Sequence, residues 1–421
     1  LPISTAQTVG TITNTQDSWQ GYTLLNAMGD TNTYLIDNCG HVINQWSSTY
    51  QPGNHCELDD NGNLYRSGEL GGLFISSGGA GGIIEKFDWD NNLLWSYTLS
   101  DSTFRMHHDF TLMPNGNILA IVWEYKDSLT CIQAGRDPSL LTQGAIWVDN
   151  IIEIEPVGTD SGTIVWEWSA WDHLVQAFDP AKDNYGDIGT SPRKLNLNSG
   201  PNKKDWMHVN AVDYHADKDL IIISCPKMNE IYIIDHSATS AEAATSSGGN
   251  FGHGGDFLFR WGNPQMYDQG SSLDQRLFFQ HDAQWIDAGL KDEGQILLFN
   301  NQMNNGSNDF SSVFIIDPDT NALGDYELHG GSVFGPSTES WNYDLPLELW
   351  SNVLSGAQRL PNGNTLIISG RNGTFIEIDS LDSIVWRYKS PVGTNGIITQ
   401  GSTTEQSQFL FYPNRYSEDF V

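Results

Sequence analysis

The stretch MPNGNIL at residues 113–119 decides the fold, because it recurs along the chain. It returns as LPNGNTL at 360–366 and, less completely, as DDNGNL at 59–64. Each copy reads as a short strand, a tight Asn-Gly turn and an apolar strand. Asn-Gly favours two-residue hairpins, because both central positions of a type I′ turn need a positive φ. The repeat therefore predicts β-hairpins at intervals along the sequence.

A second pair of strands follows each hairpin. One strand ends in an acidic residue, and the next strand carries a tryptophan. The acid-ended strands are 83–88, 151–155, 231–235, 313–317 and 375–379, and the tryptophans are Trp95, Trp166, Trp261 and Trp386. The complete unit is a four-stranded meander, repeated every 50 to 100 residues or so because of insertions, which is typical of a propeller blade.

Six such units are present, at about 20–48, 55–100, 107–174, 205–264, 278–330 and 349–391. The sequence therefore predicts an all-β fold, a six-bladed β-propeller with four-stranded antiparallel blades around a central channel. We expect one domain over 20–421, with 1–19 as an N-terminal extension and 392–421 as a tail. The first unit lacks its leading strand. Closing the ring needs that strand from the first 19 residues or from the tail around 409–412.

Composition limits the partners. The 421 residues include 20 Lys and Arg against 52 Asp and Glu, a net charge of −32. So acidic a surface repels nucleic acid and anionic membranes. The sequence has no apolar stretch of about 18 residues that would insert into a membrane. It begins at Leu1 without a signal peptide, so we expect the mature form of a secreted or periplasmic protein. The oligomeric state stays open.

The four cysteines are Cys39, Cys56, Cys131 and Cys225, and none has the paired spacing of a zinc site. Cys39 and Cys56 lie in adjacent repeats, so a disulfide between them is expected. The sequence gives less support to a disulfide between Cys131 and Cys225. The alternative is four buried free thiols.

Histidines recur at the start of the innermost strand, which lines the channel of a propeller. Three successive units read His107-His108-Asp109, His208-Val209-Asn210 and His281-Asp282 at this place. A single histidine would be read as a structural residue, but three in register predict a histidine site in the channel. The pattern leaves open whether a metal or a covalent reaction uses it.

Cations are scarce, so their positions are informative. Arg105 precedes the histidine pair, Lys227 follows the second strand of the fourth unit, and Arg371 follows the second strand of the last unit. Together with His107, they are candidates for binding an anionic substrate. The alternative is ordinary ion pairing with the many acids.

At these residues the chain resembles the bacterial arylsulfate sulfotransferases. The resemblance runs over about 20–391 and is strongest at 107–110, 206–213 and 280–283. It implies an extracytoplasmic six-bladed propeller that moves a sulfuryl group from a phenolic sulfate ester to another phenol. It also implies a sulfated histidine intermediate, with no nucleotide sulfate donor, no metal and no other cofactor.

Position by position, the resemblance makes His281 the nucleophile, His208 and Asn210 contacts of the sulfuryl group, and His108 the first channel histidine. The family has an arginine shortly after the His-x-Asn strand, where this sequence has Pro226 followed by Lys227. Lys227 or Arg371 would then supply the charge, although lysine lacks the planar fork of arginine. Asp282 is a candidate for fixing the tautomer of His281.

Two other classes stay open. One is a metal-dependent propeller enzyme such as a polysaccharide lyase, since histidine triads suit divalent cations. The other is a non-catalytic extracellular binding propeller that retains the scaffold.

Overall fold

The structure is a computed structural model and describes residues 7–304, 309–402 and 408–420. Its regular structure is almost entirely β, in six antiparallel four- or five-stranded sheets that form the blades of one propeller. The predicted all-β six-bladed fold is confirmed. Residues 1–6 of the predicted extension, 305–308 of the fifth unit, and 403–407 and 421 of the tail lie outside the described residues. Within the described ranges, no helix is long and apolar enough to cross a membrane.

In each blade the first strand named below lines the channel and the last one lies outermost. Blade 1 contains Asn414–Ser417, Gly21–Asn26, Asn32–Ile36 and Val42–Ser47; blade 2, Pro52–Leu58, Leu64–Glu69, Gly82–Phe87 and Leu93–Thr98; blade 3, Phe104–Leu112, Ile118–Asp127, Ala145–Val157 and Ser161–Ser169; blade 4, Ala211–His215, Leu220–Cys225, Glu230–Asp235 and Phe259–Trp261; blade 5, His281–Trp285, Ile296–Asn304, Asp309–Ile316 and Trp341–Asp344; blade 6, Gly356–Arg359, Thr365–Ser369, Thr374–Ile378, Ile384–Lys389 and Gly10–Asn14.

The remaining elements are short and lie in the connections. They are the α-helices Ser128–Gln133 and Ser240–Ala243, the 3₁₀ turns Pro138–Leu140, Ala170–Asp172, Pro264–Tyr267, Leu347–Leu349 and Glu418–Phe420, and the strand pairs Leu174–Val175 with Leu195–Asn196, Leu328–His329 with Val333–Phe334, and Val392–Gly393 with Gly396–Ile397.

Both terminal segments join the seam between blades 1 and 6. Strand Asn414–Ser417 pairs antiparallel with Gly21–Asn26 and supplies the missing inner strand of blade 1. Strand Gly10–Asn14 adds to the outer edge of blade 6. The C-terminal tail therefore closes the ring, slightly beyond the 409–412 stretch, and the N-terminal strand covers an edge that would otherwise be open.

The hairpin turns differ from the expected type I′. Gly62, Gly116 and Gly363 have φ of +76°, +88° and +85°, whereas the asparagine before each of them does not have a positive φ. Each glycine N–H donates to the carbonyl three residues earlier. These are type I turns followed by a left-handed glycine, the three-residue form of the hairpin. The type I′ prediction was wrong, because only the glycine takes the left-handed conformation.

A ring of tryptophans joins the blades on the outside. In five blades, the indole N–H of the outer-strand tryptophan donates to a carbonyl of the next blade at 2.7 or 2.8 Å. The pairs are Trp46 to Asp88, Trp95 to Ser161, Trp166 to Ala238, Trp261 to Pro336 and Trp386 to Asn38. The recurring tryptophan of the sequence repeat is thus an interblade hydrogen bond as well as a packing residue.

A second ring joins the inner strands. A side-chain oxygen of one inner strand accepts the backbone N–H of the next inner strand, at 2.8 to 3.0 Å. The pairs are Glu57 with Leu112, Asp109 with Val212, Asp213 with Trp285, Asp282 with Ala357 and Gln358 with Arg415. These bonds fix the rotation of each blade relative to its neighbour, and so position the side chains at the channel.

The expected disulfide between Cys39 and Cys56 is not formed. All four cysteines lie in the described part of the chain and are free thiols. Cys39 is exposed in the turn between the third and fourth strands of blade 1, whereas Cys56 is buried on the inner strand of blade 2. One cysteine is therefore near the outside of its blade and the other is on the innermost strand of the next blade, so they do not pair.

Candidate active site

Strained backbone positions the three predicted histidines. His108 and His208 have φ of +54° and +60°, and Asp282, directly after His281, has φ of +57°. The strand pairing of blades 3 and 5 shifts register at these points. A non-glycine residue with positive φ is uncommon, and such residues cluster at functional sites. In blade 3 the bulge lies within the inner strand, at His108, and in blade 5 it lies at the start of the inner strand, at His281, whereas His208 precedes the inner strand of blade 4.

The histidines from three blades meet in one cluster. The rings of His108 and His208 lie 4.4 Å apart between centroids and nearly perpendicular. His281 lies near enough to both for their charges to interact. His108 and His281 are almost completely buried, and the side chain of His208 is 12% exposed. Of the three, His208 is therefore the most open to an incoming ligand.

Asn301 determines which nitrogen of His281 carries the hydrogen. The Asn301 amide nitrogen donates to the carbonyls of Ser351 and Leu354 at 2.9 and 2.8 Å. Its Oδ1 must therefore be the acceptor, and it lies 2.8 Å from His281 Nδ1. Nδ1 carries the hydrogen and Nε2 keeps its lone pair, which faces the Leu354 N–H at 3.2 Å. Burial lowers the pKa of His281 to about 4, so the ring is neutral at pH 7.

Asp282 does not fix this tautomer, contrary to the sequence expectation. Its Oδ2 accepts the Ala357 N–H of the next blade and its Oδ1 accepts the amide of Gln284. Both carboxylate oxygens of Asp282 thus have partners other than His281, as the opposite faces of successive side chains on a strand favour. The missed residue, Asn301, follows the apolar run 296–299 on the adjacent strand. A polar Asn300-Asn301 pair directly after four apolar residues, and still buried in the strand, was the available signal.

Asp205 gathers three groups beside His208. Its Oδ2 lies 2.7 Å from His208 Nδ1, from Lys227 Nζ and from Ser77 Oγ. Although burial opposes ionisation, the charges of His208 and Lys227 hold the pKa of Asp205 well below its usual range. His208 thus donates through Nδ1 to a carboxylate, which leaves Nε2 for a ligand.

Lys227 is the cation that the structure brings to the cluster. It contacts Asp205 through both a carboxylate oxygen and the backbone carbonyl. Arg371 is exposed instead. It donates to Asn352 Oδ1 at 2.8 Å and lies over the Trp350 ring, on the segment that leads to Leu354. Of the two candidates that could replace the arginine absent at Pro226, only Lys227 lies beside His208.

Two further predicted residues, His107 and Arg105, hold the site together and present no surface to substrate. His107 is fully buried, stacks on Trp123 at 3.8 Å, and its Nδ1 lies 2.8 Å from His108 Nδ1. Arg105 is buried and donates to the carbonyls of Leu70, Ile75 and Gly81. Their expected role in binding substrate stays a prediction, since in the structure His107 contacts His108 and Arg105 holds the 70–81 loop.

Asn210 connects blade 4 with blade 5 and with the C-terminal tail through hydrogen bonds. Its amide nitrogen donates to the Gln280 carbonyl of blade 5 at 2.9 Å. Its own carbonyl accepts the hydroxyl of Tyr412 from the C-terminal tail at 2.5 Å. Its predicted contact with a sulfuryl group therefore competes with an interblade role.

The glycine-rich 70–81 loop reaches the cluster, which the sequence reasoning missed. The Gly79 carbonyl accepts the His108 N–H at 2.7 Å. A Cβ at Gly79, whose φ is +78°, would lie 2.2 Å from the His108 ring. Only glycine permits this approach. The loop therefore covers His108, and its Ser77 completes the contacts of Asp205.

Together these residues provide a neutral imidazole with a defined lone pair and a second histidine on an Asp–Lys pair. Such a set suits transfer of an anionic group through a nitrogen nucleophile.

The chain is similar to several known proteins. The profile of the family described as Arylsulfotransferase (ASST) matches residues 9–409. Comparison with curated proteins finds no match. Among solved structures, a protein of unknown function from Bacteroides caccae shares 10% identity over 95% of this chain and 100% of that chain, with a TM-score of 0.48. A streptogramin B lyase shares 12% identity over 92% and 85%, with a TM-score of 0.40. A virginiamycin B lyase from Staphylococcus aureus with quinupristin shares 9% identity over 97% and 96%, with a TM-score of 0.40.

Proposed function

The chain belongs to the arylsulfotransferase (ASST) family and is an enzyme of the arylsulfate sulfotransferase type, and from this premise we propose that it works through a sulfated His281. The observation that carries this proposal is the Asn301 contact, which places the lone pair of His281 on Nε2, while burial keeps the ring neutral.

In the first half-reaction, Nε2 of His281 attacks the sulfur of a phenolic sulfate ester. The new N–S bond forms as the bond from sulfur to the phenolic oxygen breaks. The leaving phenolate belongs to a phenol of pKa near 10, so it takes up a proton as it departs. His208, hydrogen-bonded to the Asp205 carboxylate, carries this proton on Nε2 and donates it to the departing phenolate. Asn301 stabilises the positive charge that develops on the His281 ring.

His108 does not serve as the proton donor in this mechanism. Burial, together with the charges of His208 and His107, lowers its pKa well below the ordinary value. A neutral ring cannot be the acid that protonates the phenolate. We assign His108 to binding an oxygen of the transferring group.

In the second half-reaction, the oxygen of an acceptor phenol attacks the same sulfur and the N–S bond breaks. The proton of the acceptor passes to His208, which restores the starting state. Sulfuryl transfer resembles phosphoryl transfer, so positioning and charge stabilisation provide most of the catalysis. Lys227 supplies positive charge beside the transferring oxygens.

Intact mass spectrometry tests the covalent step. Mixing the protein with a phenyl sulfate in the absence of an acceptor should add one sulfuryl group on the peptide that contains His281. His281→Ala should lose both the adduct and turnover, and His208→Ala should form the adduct slowly. His55→Ala, a channel histidine beside Asp109, is the matched control and should keep the adduct. Turnover by wild type without an adduct, together with an active His281→Ala variant, would refute the mechanism.

We also propose an extracytoplasmic location. The net charge of −32 supports it, since such a surface stays soluble when salt screens its repulsion. Fractionation of the source cells tests this location, and we expect the activity outside the cytoplasm. Activity only in the cytoplasm would contradict it.

A further inference from the structure

The exposed turn 37–41 of blade 1 brings together three different metal-binding groups. The ligand atoms of Asp37, Cys39 and His41 all lie within 4.8 Å of one another. Asp37 Oδ1 accepts the N–H groups of Cys39 and His41 at 2.9 and 2.8 Å, and its Oδ2 lies 3.0 Å from His41 Nδ1. We propose that this turn binds a divalent cation of the zinc class.

The same turn occurs elsewhere in the molecule without these groups. In blade 2, Asp59 Oδ1 accepts the N–H groups of Asn61 and Asn63, both at 2.9 Å. Gly40 and Gly62 occupy the same place, with φ of +86° and +76°. In blade 6, Asp379 forms the corresponding bonds with Leu381 and Ser383. The turn therefore needs neither a cysteine nor a histidine for its own geometry.

Packing does not account for Cys39 and His41 either. Both are exposed, and the His41 side chain is 78% accessible. The backbone beneath them is fixed instead by Asn38, whose carbonyl accepts the Trp386 indole N–H at 2.8 Å and the Thr11 hydroxyl at 3.0 Å. The three ligands thus stand on a rigid base at the seam of blades 1 and 6, which reduces the entropy lost on binding.

The donor set determines the class of ion. A thiolate, an imidazole and a carboxylate are the protein ligands of Zn²⁺, and a water completes the tetrahedron. Binding releases the Cys39 proton to solvent, so the affinity should rise with pH. The exposed His41 ring turns a nitrogen to the ion, and Asp37 Oδ2 exchanges its contact with His41 for the metal.

Replacing the ligands with the side chains of the blade 2 turn tests the proposal. Titration of the full chain with Co²⁺, in a non-chelating reductant, should produce a thiolate-to-cobalt absorption band that one equivalent of Zn²⁺ abolishes. The double variant Cys39→Asn/His41→Asn recreates the residues of 61 and 63 on the same turn. It should fold and turn over aryl sulfate normally, but lose the band. A wild type without the band, or a double variant that retains it, overturns the site.

The reciprocal graft sharpens the test. Asn61→Cys/Asn63→His places the same ligands on the blade 2 turn, beside Asp59. This variant should bind one more equivalent of Co²⁺ than wild type and show a stronger thiolate band. A graft that stays silent would contradict the claim that the turn supplies all the protein ligands.

Discussion

His281 depends on neighbours that treat its two ring nitrogens differently. Oδ1 of Asn301 accepts the hydrogen bond from Nδ1 of His281. The Asn301 side chain cannot flip, because its amide nitrogen donates to the carbonyls of Ser351 and Leu354. Leu354, a non-glycine residue with φ of +60°, directs its N–H to Nε2 at 3.2 Å. In the proposed mechanism the sulfur of the donor takes the place of this contact. The nucleophile that we propose is thus prepared by position and burial, without a carboxylate partner.

The first prediction concerns pH. We expect kcat/KM for a phenyl sulfate donor to fall on the acid side only near pH 4, because the folded protein lowers the pKa of His281 to about 4. Below that pH the lone pair of Nε2 is protonated. An ordinary imidazole would titrate near 6.5. The pH dependence of kcat/KM, which reports the free enzyme, measures this. An acid limb centred near 6.5 would contradict the assignment.

The second prediction concerns Asn301. Asn301→Ala frees the His281 ring to place its hydrogen on Nε2, and the rate of adduct formation should fall roughly 100-fold or more, as expected for the wrong tautomer. The donor KM should change little. Asn300→Ala is the matched control, since Asn300 is equally buried and bonds the backbone of Phe278 and Arg276. Single-turnover kinetics compare the two, and equal losses would reduce Asn301 to a structural residue.

Sequence reasoning located residues on one strand better than contacts between strands. His108, His208 and His281 share a place in the repeat, so their register predicted that they meet. The Asn301 and Gly79 contacts arise from a neighbouring strand and a loop, and no periodicity reports them. The sequence suggests Arg105 as a substrate ligand, because it is a rare cation near the histidines. Its partners are backbone carbonyls, which a sequence does not reveal.

At the scale of elements, the outer strands are joined by side chains rather than by extended sheet. Each bonded tryptophan packs its ring in the apolar cluster between two blades and donates its N–H to the second of them. The sequence repeat predicted the strand that holds each tryptophan, but not this bond. It likewise predicted the hairpins and mistook their turn type, since Asn-Gly fits both forms and only the structure shows Asn115 without a positive φ.

The third prediction tests this ring of bonds. Trp95→Phe keeps an aromatic ring but loses the bond to the Ser161 carbonyl. The free energy of unfolding should fall by about 1 kcal/mol or more, since the carbonyl of Ser161 loses its donor. Trp341→Phe is the control, because the indole N–H of Trp341 has no hydrogen-bond partner among residues 7–304, 309–402 and 408–420. Urea unfolding measures both variants, and an equal or larger loss in Trp341→Phe would remove the case for the bond.

At the scale of the whole molecule, one buried ion pair fastens the ring. Arg415, on the closing strand, lies 2.6 Å from Glu377 of blade 6 and donates to Thr23 of blade 1. Glu377 also accepts from Asn364 and from the Trp19 N–H. The first and last blades are thus joined through a charge pair in addition to the strand pairing.

The fourth prediction is that Arg415→Met loosens the ring at this seam. Leaving Glu377 buried and unpaired should cost about 3 to 5 kcal/mol. Arg260→Met, which leaves Glu230 of blade 4 in the same condition, should lower global stability similarly. Only Arg415→Met should speed hydrogen exchange in 408–420 under native conditions. If the two variants exchange alike in that segment, the pair has no special part in closure.

The closing strand also sets a kinetic problem. Arg415 and Thr23 meet across 392 residues of chain. Each doubling of a loop adds only about 0.6 kcal/mol of closure entropy, so the length itself costs little at equilibrium. The rate is affected more, because contacts between distant parts of a sequence form slowly. Until they form, blades 1 and 6 have unpaired strand edges that attract other chains. Refolding yield should therefore depend strongly on protein concentration, although the native ring is stable once closed.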